Sequence, residues 1–157
     1  MNTPTLPDTI ASEFGRYFEL FASRITAIGE GLTQEQFWSK PYPYGNSVGH
    51  LVLHLTGNLN YYIGAQLTGT GYVRDRDREF TDATHAPSAE VLQAMNEAVT
   101  MVVRTLASQT AEDWSREYAA VGVDDCTRFG IVLRCAQHFH HHLGQMIYLA
   151  KEHQRLA

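Results

Sequence analysis

Four long stretches of this sequence repeat apolar residues every three or four positions, and no stretch alternates long enough to read as a strand. In the first stretch the repeat is Ile10, Phe14, Tyr17, Phe18, Phe21, Ile25 and Ile28. That spacing places them in one stripe along a helix facing a core. Pro7 suits its first turn, and Gly29 or Gly31 its end. A second helix is predicted over about 47–67, capped by Asn46 or Ser47, with Val48, Val52, Leu55, Leu59 and Ile63 inward. A third, about 88–109, turns Val91, Leu92, Met95, Val99, Val102 and Leu106 inward. A fourth is predicted from about Asp124, whose carboxylate suits a helix N-terminus, to about His153. Thr33-Gln34-Glu35-Gln36 has the capping-box form and predicts a short helix through Phe37 and Trp38, closed by Pro41 and Pro43. Residues 115–123 read as irregular or extended. The expected fold is all-α: a four-helix bundle with a short extra helix after helix 1, in a single domain over 1–157.

Composition narrows the function classes. Apolar residues are 44 % and charged residues 18 % of the 157, which is ordinary for a globular protein. A net charge of −5 argues against nucleic acid as a partner. No apolar run approaches ~18 residues, so no membrane span is expected, and Met1 to Thr9 lack the apolar segment of a secretory leader. Cys126 and Cys135, nine apart in the predicted fourth helix, stand too far apart to bridge, which fits a reducing cytoplasm. The segment 68–87 reads as a loop. Its mixed-charge run from Arg74 to Glu79 is most simply a solvated connection with local ion pairs, although its length suggests a function.

The chain holds eight histidines, four of them within 138–142. His138 and His142 are one helical turn apart, with Cβ atoms ~5–6 Å apart, a spacing that lets two imidazoles hold one metal ion. Ile131, Cys135, His138, His142, Gln145 and Leu149 share one line of the helix, so the pair should face inward. His140 points away from it and His141 lies at its boundary. A third ligand is then needed. A semi-polar stripe of the second helix, made of Ser47, His50, Leu51, His54, Asn58, Tyr61 and Ala65, offers His54 first and His50 second. His85, in a loop, and His153, at a fraying end, are set aside. Neither histidine helix offers an inward carboxylate beside these candidates, which disfavours a carboxylate-based metal hydrolase.

Asn46-Ser-Val-Gly-His-Leu-Val-Leu-His54-Leu-Thr-Gly-Asn58-Leu resembles the second-helix motif of the DinB-like metal-binding superfamily, which includes YfiT-type proteins. His138-Phe-His-His-His142-Leu-Gly-Gln145 resembles its last-helix motif, His-x-x-x-His-x-Gly-Gln. The run Arg76-Asp77-Arg78-Glu79-Phe80 and the segment Thr33-x-Glu-Gln-Phe-Trp38 resemble elements of one uncharacterised branch. The resemblance spans about 10–153. It implies a four-helix bundle, often a homodimer, with His54, His138 and His142 around a divalent metal ion, zinc or nickel foremost. His50, Asn58, Tyr61 and Gln145 would then support the ligands or orient a small-molecule substrate. Relatives in that superfamily include transferases that use a low-molecular-weight thiol and a proposed metal hydrolase. The functions in view are a metal-dependent thiol-cofactor S-transferase, a metal-dependent hydrolase, or a non-catalytic metal-stabilised dimeric bundle. The residues name no catalytic group.

Overall fold

The computed structural model describes residues 3–156; Met1, Asn2 and Ala157 lie outside it. Helix α1 (Leu6–Glu30) begins with a capping box in which Thr5 and Asp8 bond each other's backbone N–H groups. The short α2 (Gln34–Trp38) uses the same device with Thr33 and Gln36. Helix α3 (Val48–Leu59) starts at Ser47, whose Oγ accepts from the His50 amide at 3.1 Å. It continues through a π-helical turn (Asn60–Ala65) into α4 (Gln66–Thr68). After α5 (Arg78–Thr81) come α6 (Ser88–Ala107) and α7 (Ala111–Ser115). Strands β1 (Glu117–Ala120) and β2 (Val123–Thr127) form a hairpin, and α8 (Arg128–Leu156) closes the chain.

The long helices α1, α3, α6 and α8 make the bundle. Helices α1 and α3 each pack against both α6 and α8. Their apolar stripes meet in one core that includes Phe18, Ile25, Leu55, Met95, Leu106, Phe139 and Met146, all fully buried. Burying one such side chain stabilises by about 1.5–3 kcal/mol, so the shared core holds α3 and α8 side by side. The fold is the all-α bundle, with the extra helix α2 after α1.

Several local expectations are corrected. Helix α8 starts at Arg128 rather than Asp124, because residues 117–127 pair as an antiparallel hairpin. Tyr118 and Val123 face inward, and Gly122 supplies the left-handed turn at φ 76°. An alternation this short carries little periodic signal. Cys126 consequently sits on β2 and not in a helix with Cys135, and both cysteines are free. Within the segment 68–87, residues 78–81 are helical. Tyr17 is 43 % exposed instead of inward, and His153 is buried rather than frayed. No described helix is long and apolar enough to cross a membrane.

Candidate metal centre

Helix α3 presents His54 to helix α8, which presents His138 and His142 one turn apart. Each of the three offers a ring nitrogen, and these atoms lie within 4.8 Å of one another. His54 Nε2 and His138 Nε2 are 2.8 Å apart. The three rings are mutually near-perpendicular, with centroids 4.4–5.1 Å apart. His142 Nε2 is buried and has no hydrogen-bond partner. A buried nitrogen left unpaired is costly, and here it belongs to a group of three imidazoles, a donor set suited to a transition metal. The residues therefore fit a single divalent ion.

The outer nitrogens are fixed from behind. His54 Nδ1 lies 2.7 Å from Glu79 Oε2. Arg74 donates to the same carboxylate twice, Nε to Oε1 at 2.7 Å and Nη2 to Oε2 at 2.8 Å. Burial raises the Glu79 pKa, but the hydrogen bonds from Arg74 and His54 outweigh it and hold the carboxyl below its ordinary value. Facing an ionised acceptor, His54 carries its proton on Nδ1 and turns the Nε2 lone pair to the cluster. Arg74 Nη2 also lies 3.2 Å from Nδ1, but as a donor it is satisfied by the carboxylate. His142 is set the same way, its Nδ1 2.7 Å from Gln145 Oε1. Partners of this kind fix the tautomer and orientation of ligating imidazoles.

Glu79 comes from the segment that reads as a solvated loop. Of its charged run, Arg74 and Glu79 turn inward with side chains 10 % and 6 % exposed, while Arg78 stays outside. So although the two histidine helices offer no inward carboxylate, the 68–87 segment supplies one. The sequence signal for it is Gly57, one turn beyond His54 on α3. A Cβ built there would collide with Glu79 Oε1, so the glycine is what lets the carboxylate approach the helix.

The remaining candidates are spread around the cluster. His50 lies one turn before His54 and holds structure: its Nδ1 is 2.6 Å from Ser47 Oγ and its Nε2 3.1 Å from the Asp82 carbonyl. Asn58, Tyr62 and Arg134, with His54 and His138, line a cavity of about 190 Å³. Tyr61 packs on Tyr62, and Tyr62 is the one that lines the cavity. Tyr62 and Arg134 carry no signal of their own in the sequence and gain meaning only once α3 and α8 are side by side. His140 is exposed and stacks on Phe21, and His141 contacts Gln145.

Burial, and then the neighbouring imidazoles, push the His138 pKa down to about 3; burial foremost pushes His142 down to about 4. In the unfolded chain each would titrate near 6.5. Between those values the unfolded chain binds more protons than the folded one, so stability is present above pH ~6.5 and falls as pH drops toward 4. The melting temperature of chelator-treated protein should therefore decline steadily from pH 7 to pH 4.5. A flat profile would contradict the burial of the pair.

No curated protein matches the chain, and no solved structure does. A family match covers nearly the whole bundle, residues 13–156, and so includes all three histidines and the Arg74–Glu79 pair behind them. On that match the chain belongs to the family described as Protein of unknown function (DUF1572).

Proposed function

We propose that this chain binds one divalent metal ion through His54, His138 and His142 and acts as a metal-dependent transferase of a low-molecular-weight thiol. A relation to the DinB-like superfamily, zinc or nickel as the ion, a homodimeric state and a cytoplasmic location belong to the same proposal. The observation that carries it is the state of Glu79. Among the described residues it is the carboxylate against the cluster, and both its oxygens are engaged by Arg74 and His54. An ion at the cluster would ease the deprotonation of water as well, but hydrolysis also asks for a group to position that water and to hand a proton to the leaving group. Thiol transfer asks for less from the protein, because an ion held at three imidazoles would supply the Lewis acidity that takes the proton from a coordinated thiol at neutral pH.

The chain's own residues perform the remaining tasks. Glu79 and Gln145 fix the proton positions of His54 and His142, so that both Nε2 atoms stay available as donors. Arg74 keeps Glu79 ionised. Ile131, Cys135 and the Tyr62 ring form the apolar part of a cavity wall that is otherwise polar.

The experiment is a thiol panel (glutathione, bacillithiol, mycothiol) with monochlorobimane, run on metal-loaded and metal-stripped protein. In the reaction an S–C bond forms, the C–Cl bond breaks, chloride leaves and the thiol proton passes to solvent. Turnover that needs both thiol and metal supports the proposal. Thiol-independent cleavage of an ester, again needing metal, supports a hydrolase instead. Metal-dependent melting with no turnover supports a metal-stabilised bundle.

A further inference from the structure

The cavity beside the three histidines carries positive charge that metal binding does not use. Its volume of about 190 Å³, at ~30 Å³ per water, has room for about six waters, the bulk of a small organic acid. His54 and His138 stand on one side, and Arg76 and Arg134 also line it. No acidic side chain does. Arg74 is committed to Glu79, but Arg76 and Arg134 have no carboxylate partner among the described residues. Arg134 Nη1 donates to the Gly122 carbonyl at 3.3 Å, and the Arg76 guanidinium lies 5.6 Å from the centre of the Phe80 ring. Each keeps donors free.

Asn58 supplies a second, independent observation. It lines the same cavity, is 8 % exposed, and its buried Oδ1 has no hydrogen-bond partner. An enclosed amide oxygen left unpaired is costly, and turning the planar amide over brings Oδ1 to the cavity side, where a donor that fills the space can satisfy it.

We infer that this cavity seats the anionic end of the substrate, a small molecule carrying a carboxylate and, next to it, an N–H or O–H donor. The carboxylate lies between Arg76 and Arg134, whose planar guanidinium groups match its geometry. The donor meets Asn58 Oδ1, and the rest of the molecule extends toward His54 and His138. The assignment rests on the reading of the three histidines as a reacting centre, and it adds selectivity for acids over their neutral analogues.

The test uses N-acetylserine and its methyl ester, which share an amide N–H and a hydroxyl and differ in the carboxylate. Both are titrated calorimetrically into the full chain, with and without one equivalent of zinc. At low ionic strength the acid should bind at least about tenfold tighter than the ester, and its lead should shrink as salt is added. The double variant R76Q/R134Q, altered only at exposed positions, should bind the two alike. Equal binding, no binding of the acid to the unaltered protein, or a lead that survives in the double variant would each overturn the inference. Because neither probe has a thiol, an intact lead with no thiol turnover counts against thiol transfer alone. Thiol turnover with no lead counts against the anion seat alone.

Discussion

Replacing His138 with alanine is expected to strip the purified protein of its metal, whereas replacing His140 should leave the metal content unchanged. The two residues are neighbours in one histidine-rich run but occupy opposite sides of α8. The His138 ring nitrogen stands 2.8 Å from that of His54, while His140 lies on the surface against Phe21. Loss of a residue behind a ligand typically costs 10–100-fold in metal affinity. Loss of one of three ligands should exceed about 100-fold. Elemental analysis of untagged His138→Ala, His140→Ala and unaltered protein reads this directly. Equal metal in all three would mean that the cluster does not hold the ion.

The second large effect should come from Glu79, which no helix periodicity marks. Glu79→Ala leaves the Arg74 guanidinium unpaired in a nearly buried position and frees His54 Nδ1. Breaking a buried pair by removing one partner costs about 3–5 kcal/mol, so the midpoint of urea unfolding should move well down. Metal affinity should also fall, by roughly 10–100-fold. Glu79→Gln keeps an acceptor for His54 but gives up the charge, and should fall between. Gly57→Ala is the informative control. Alanine in a helix is ordinarily favoured over glycine by about 1 kcal/mol, but here its methyl would displace the Glu79 carboxylate. It should therefore destabilise and weaken metal binding together. If Gly57→Ala stabilised the protein with metal affinity intact, the carboxylate would not be needed behind His54.

The bundle was readable from sequence because its core is written in local spacing. Val91 to Leu106 on α6 and Val48 to Ile63 on α3 and its π turn recur at helical intervals, and every one of the residues singled out there is buried. The His138 and His142 pair and the placement of His54 on an inward stripe follow from the same arithmetic. What spacing could not reveal depends on contacts between distant segments. Glu79 meets His54 across 25 residues, and a run of alternating charges does not say which members turn inward. Apart from the resemblance of the run around Glu79, the trace was a glycine one turn after His54, within a good helix. The hairpin escaped for a different reason. Its strands span only four and five residues, with an irregular pairing between Tyr118 and Ala120, too brief for a two-residue period to stand out. The π-helical turn is likewise silent in sequence.

That hairpin touches both sides of the cavity. The Tyr118 hydroxyl donates to the Tyr62 carbonyl at 3.0 Å, in the widened turn of the second bundle helix, and the Gly122 carbonyl at its tip receives Arg134. Insertions or swaps at this ribbon would move Tyr62 and Arg134 in the cavity wall and leave the three imidazoles in place. Change at this periphery would thus alter the cavity without disturbing the cluster at the centre.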